Sequence, residues 1–255
     1  MEIFVVFSSL IFSVVLGGFF VTYLRQNNKA QVIKLLLAFS GGFLLAIAFT
    51  HFIPDLYHEG SGSIGIYILL GFLIQLLLEF FSGGIEHGHV HVHKGQSMPW
   101  GLFISLSIHS IIEGIPLGNQ LVGIEILDAH AHHHHHHDQD NSLLLGILFH
   151  QLPVAIALMT LLVNTKLTMI RSWLVLMLFG IMTPLGVAIG LFTPASYLGL
   201  DYHVVLAVVV GMFLHISTTI IFETSENHKF NLLKLLAIFV GYHVVWNVTP
   251  ALHTP

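Results

Sequence analysis

His109 to Gly118 reads HSIIEGIPLG, an apolar stretch that places an imidazole and a carboxylate four residues apart. What that spacing means depends on where the segment lies. The surrounding chain is 55% hydrophobic and 8% charged over 255 residues, with a mean hydropathy of +0.85. Soluble domains carry roughly 25% charged residues, so this chain is not built for water. About 20 apolar residues in helix cross a hydrocarbon core of ~30 Å, and runs of that kind recur along the whole length. They predict an all-α integral membrane protein with eight spans: Ile3–Leu24, Leu35–Pro54, Ile64–Phe81, Trp100–Gly123, Leu143–Val163, Trp173–Phe192, Val204–Phe222 and Leu232–Val248. The first run lacks a basic leader and a small-residue cleavage pattern, and is read as a retained span rather than a signal peptide.

The basic residues orient the spans. Arg25, Lys29 and Lys34 separate spans one and two, and Lys94 separates three and four. Lys166 and Arg171 follow span five, and Lys229 and Lys234 follow span seven. All eight lysines and arginines therefore fall on one face, which the positive-inside rule makes cytoplasmic. Both termini are then expected outside, in a multi-pass protein of the cell membrane. The outer connections carry Glu2, Asp55, Glu59, Glu125, Asp128, Asp138, Asp140 and Asp201 without a basic residue, a rim that concentrates cations. A single transmembrane domain, 1–255, is expected, with a cytoplasmic histidine-bearing loop at 85–98 and an outer poly-histidine loop at 126–142.

With span four entering near Trp100, a rise of ~1.5 Å per residue puts His109 and Glu113 about 14–20 Å deep. A carboxylate there costs at least ~2.5 kcal/mol on insertion scales, and an intramembrane ionisable residue is by default a functional-site hypothesis. Positions i and i+4 share a helix face, so both side chains can reach one point. A histidine–glutamate hydrogen bond inside a packed bundle would explain the pair as well, until span five is considered. There HQLPVAIAL, His150 to Leu158, brings a second imidazole to similar depth. Two imidazoles and a carboxylate make a borderline N/O ligand set that suits zinc, and less selectively iron(II), manganese or cadmium. Ser110 and Gln151 are candidate further oxygen ligands. Pro116 and Pro153 each free a backbone carbonyl, as in the broken helices that line transporter sites, while Gly114 and Gly118 permit close helix approach.

Twenty histidines outnumber the eight lysines and arginines together. EHGHVHVHK, Glu86 to Lys94, alternates His87, His89, His91 and His93 on the cytoplasmic side, a pattern read as metal collection at the exit. AHAHHHHHHD, Ala129 to Asp138, holds His132, His133, His134, His135, His136 and His137 on the outer side, either a native metal-gathering loop or an engineered tag. His51 and Asp55 are candidate entrance residues; Glu79 and Glu223 are candidate exit residues. His203, His215 and His243 are weaker candidates. Cysteine is absent, which removes disulfides, thiolate metal sites and thiol redox chemistry.

These motifs together resemble the ZIP (Zrt/Irt-like protein) family of divalent metal transporters. HSIIEGIPLG is similar to the family's HSxxEGxxxG on span four, and HQLPVA to its span-five motif. HFIPDL, His51 to Leu56, resembles the HLLPEA element, GFLIQLLLE, Gly71 to Glu79, its span three, and TPLGVAIG a span-six segment reading EPLGALxG. The resemblance implies import of a divalent metal, zinc first, by a sliding or rocking unit built around spans four and five in a homodimer. The expected partners are the metal ion as substrate, the lipid bilayer and a second copy, with no nucleic acid and no nucleotide. Members with a two-metal centre carry further acidic or amide ligands where this chain has Ser110, Gln151, Val154 and Thr183, so a single site of His109, Glu113 and His150 is implied. A membrane-embedded zinc hydrolase or hydroxylase is the competing class, but no HExxH or helix-phased HxxHH box is present. A metal exporter would differ only in direction.

Overall fold

The computed structural model describes residues 3–23, 29–59, 62–82, 98–130, 141–194, 197, 199, 201–223 and 232–248. Its elements are α1 (Ile3–Tyr23), α2 (Lys29–Ile47), a π turn (Ala48–Phe52), α3 (Ile53–Glu59), α4 (Ile64–Ser82), α5 (Trp100–His130), α6 (Ser142–Asn164), α7 (Met169–Gly180), α8 (Met182–Phe192), α9 (Tyr202–Glu223) and α10 (Leu232–Val248). Among the described residues the chain is all-helical, apart from short turns.

Seven of the eight expected spans are helical and both long and apolar enough to cross a bilayer. The eighth, α10, has the expected limits but only 17 residues, about 25 Å at ~1.5 Å per residue. Elsewhere the helices outrun the apolar runs. Span two extends through α3 to Glu59, and α5 continues to His130, into the stretch expected to be loop. A helix does not stop where hydropathy falls, because its backbone bonds are internal and the polar turns beyond carry no breaker.

Prolines leave distinct local marks. Pro54 cannot bond to the carbonyl four residues back, and the turn before it is the π turn, in which the Ile53 amide donates to the Ala48 carbonyl. Pro184 coincides with a break at Ile181 that divides span six into α7 and α8. Pro116 and Pro153 lie inside continuous helices.

The helices pack in two groups. Within one, α5 lies along α8 and α1 along α6, with α7 beside them; within the other, α2 lies along α10 and α4 along α9. The groups meet where α2 faces α6 and where α4 and α9 face α5. Glycine makes the closest pairings possible. A Cβ on Gly114 or Gly118 of α5 would collide with the Thr183 or Val187 carbonyl of α8, and one on Gly186 or Gly190 of α8 with the Ile111 or Ile115 carbonyl of α5. Reciprocal small-xxx-small faces of this kind replace the hydrophobic drive that lipid cannot supply. Gly71 with Gly211 does the same for α4 and α9, and Gly42 with Gly241 for α2 and α10. Large apolar side chains such as Leu69, Leu73, Leu76 and Phe80 on α4 stay exposed, as lipid-facing residues do.

Candidate metal centre

His109 and Glu113 on α5 and His150 on α6 converge, with ligand atoms within 4.8 Å of one another. Their exposures are 2%, 1% and 3%, so water does not stabilise the carboxylate. His109 Nε2 lies 3.2 Å from Glu113 Oε2 along the i,i+4 face of α5. His150 comes from α6, its ring edge-on to that of His109 at 5.7 Å between centroids. Donors around a tetrahedral zinc stand about 3.4 Å apart, given bond lengths near 2.1 Å. The His109–Glu113 pair already meets that spacing, and small side-chain adjustments would bring His150 onto the same ion. Glu113 Oε2 is buried without a hydrogen bond. A buried oxygen in that condition is costly, and a cation is what would satisfy it.

The other carboxylate oxygen is held by a relay within the same helix group. The Thr183 hydroxyl on α8 donates to Glu113 Oε1 at 3.3 Å. The Gln151 amide on α6 donates to Thr183 at 3.2 Å, and the Ser13 hydroxyl on α1 lies 2.9 Å from Gln151 Oε1. Gln151 thus serves this relay from beside the His109–Glu113–His150 group. Ser110 is buried on α5, 2% exposed.

The two imidazoles are held from the other helix group. Gln75 on α4 brings its Oε1 to 2.9 Å from His109 Nδ1. Ser40 on α2 places its hydroxyl 3.4 Å from His150 Nδ1. Both are fully buried, and sequence reasoning singled out neither. Their signal was polarity inside an apolar span, but which helix each would face depends on tertiary register.

None of the remaining candidates among the described residues joins this group. His51 is buried in the π turn, 2.7 Å from the Thr50 hydroxyl, whereas Asp55 is exposed one turn on. Glu79 pairs with His215 between α4 and α9, with Phe72 edge-on against the His215 ring at 4.7 Å. Glu223 ends α9, but its side chain lies outside the described residues, as do His87, His89, His91, His93 and His132 through His137. His203 joins Asp201 at the start of α9, at 2.9 Å.

Against known proteins, the family model for the ZIP zinc transporter matches residues 84–247. Zinc transporter ZIP1 of Danio rerio is 28% identical over 168 residues, covering 64% of this chain and 51% of that protein. Zinc transporter ZIP1 of Takifugu rubripes is 26% identical over 165 residues, 62% of this chain and 50% of that protein. Protein zntD of Dictyostelium discoideum is 24% identical over 176 residues, 62% of this chain and 24% of its own length. The chain thus spans about half the length of the ZIP1 relatives it matches.

Proposed function

Because the chain belongs to the ZIP zinc transporter family, we propose that it carries a divalent metal ion, zinc first, across the membrane into the cytoplasm through the His109–Glu113–His150 site. The observation that carries this reading is the convergence of three buried N/O ligands within 4.8 Å inside a bundle of membrane-length helices. The family and the two ZIP1 relatives are zinc transporters rather than enzymes, which separates this reading from the membrane hydrolase. Iron(II), manganese and cadmium suit the same donors less selectively.

Inward direction is what the family resemblance implies, and energetics is consistent with it. A dication moving toward a negative interior gains about 4.6 kcal/mol per 100 mV, twice the single-charge value, so no nucleotide is required. The reading assigns one metal per chain: where a second acidic ligand would stand, the Thr183 hydroxyl donates to Glu113 Oε1 and itself accepts from the Gln151 amide. His51 and Asp55 are assigned to the entrance and Glu79 and Glu223 to the exit, with the two histidine tracts gathering metal on either side. A homodimer, with both termini outside, completes it; light scattering in detergent reads the mass of the assembly.

The test is radiozinc uptake into proteoliposomes by the wild-type chain, His109→Ala and Glu113→Ala. Uptake should fall to the level of empty vesicles in both variants. Wild-type uptake in either would remove that residue from the site, and outward transport alone would reverse the direction.

A further inference from the structure

We propose that Gln75 and Ser40 are positioning residues that set the tautomer and aim of the two metal-binding imidazoles from the helix group opposite the one that carries them. The inference rests on the site reading above and deepens it. An imidazole ligates a metal through an unprotonated nitrogen, and the hydrogen bond made by its other nitrogen selects which one that is. Gln75 Oε1 lies 2.9 Å from His109 Nδ1. A carboxamide oxygen only accepts, so His109 carries its proton on Nδ1 and presents the Nε2 lone pair toward Glu113 Oε2, 3.2 Å away. Ser40 stands 3.4 Å from His150 Nδ1. With that nitrogen donating to the hydroxyl, Nε2 of His150 is again the one left for a metal. Both anchors are fully buried, in spans that otherwise offer few polar groups, so no water substitutes for them.

The anchorage is divided by helix group. The carboxylate is held by the Thr183 hydroxyl on α8, backed by Gln151 on α6 and Ser13 on α1, all in the helix group that carries it. The imidazoles are held by α4 and α2, which pack with α9 and α10. Alignment of both rings therefore depends on how the two groups are juxtaposed, and alignment of the acid does not.

Outer partners of metal-bound histidines are worth about tenfold to hundredfold in metal affinity or activity. The experiment measures radiozinc uptake against zinc concentration in proteoliposomes for the full chain, Gln75→Met, Gln75→Glu and Ser40→Ala, with His109→Ala as the baseline. Methionine keeps the length of glutamine and removes its acceptor; glutamate restores an acceptor for Nδ1–H. The expected results are a KM raised about tenfold to hundredfold in Gln75→Met, a smaller rise in Ser40→Ala, whose bond is longer, and a KM near wild type in Gln75→Glu. Wild-type KM in both Gln75→Met and Ser40→Ala overturns the proposal. So does a Gln75→Glu variant no better than Gln75→Met, or a fall in kcat with KM unchanged. These failures are distinct from failure of the site itself, which would show as retained uptake by His109→Ala.

Discussion

At the scale of single residues, the site is a problem of keeping an acid out of water. Glu113 is 1% exposed, and its two oxygens are treated differently: Oε1 accepts from Thr183, while Oε2 faces His109. The hydroxyl of Thr183 therefore belongs to the proposed site as the support of its acid. Thr183→Val keeps the volume and removes the donor, leaving the Gln151 amide without its acceptor. It should weaken zinc handling about tenfold, equivalent to about 1.4 kcal/mol, read as a raised uptake KM, while Thr183→Ser stays near wild type. The convergence of His109, Glu113 and His150 was legible in the chain because spacing of four residues and depth along a span are both one-dimensional quantities. Their supports were not. Ser13, Ser40 and Gln75 lie on three other helices, and nothing in local sequence states which face of one helix meets which face of another.

At the scale of elements, the helices were legible and their ends less so. Apolar run length locates a helix, but backbone bonding decides where it stops, which is why α5 reaches His130 and span two reaches Glu59. The split of span six, by contrast, is traceable to Pro184. Close packing yields a paired prediction. A Cβ on Gly118 would run into the Val187 carbonyl, while one on Gly146 would sit 3.8 Å from Leu44 Cδ2, ordinary contact. Gly118→Ala should then lower the thermal midpoint in detergent by the equivalent of about 1–3 kcal/mol, the cost of overpacking. Gly146→Ala should be neutral or raise it, since alanine is the better helix former by up to about 1 kcal/mol.

The start of α9 is a second case. Asp201 accepts from the His203 amide at 3.1 Å and caps the helix. Partial burial pushes its carboxyl up, but the His203 amide and ring bonds, with the attraction of that ring, outweigh it and hold the group below its ordinary 3.8. A lowered native value means the cap's contribution is complete above that ordinary value and fades as pH falls below it. Asp201→Ala should cost about 1 kcal/mol, as lost caps do, and should flatten this acid-side loss in thermal unfolding followed against pH.

For the whole molecule, hydropathy and the low share of charged residues were enough to read the chain as a multi-pass membrane protein. The division into two helix groups was not visible, because it arises from which glycine faces happen to match. The histidine tracts are assigned to this scale too, as collectors that would change how often an ion reaches the buried ligands and leave those ligands unaltered. Replacing His132 through His137 with serine should raise the zinc concentration for half-maximal uptake and leave the maximal rate intact, measured in the same vesicles; a lowered maximal rate would move the tract into the transport step.

The split anchorage of the centre has a mechanical corollary. Were one bundle to slip lengthwise past the other by a single helical pitch, about 5.4 Å, the acid would travel with its tethers unbroken, while both rings would be cut loose together from Gln75 and Ser40. The cradle would then slacken on its nitrogen side alone, and an ion gripped before the shift would be easier to shed after it.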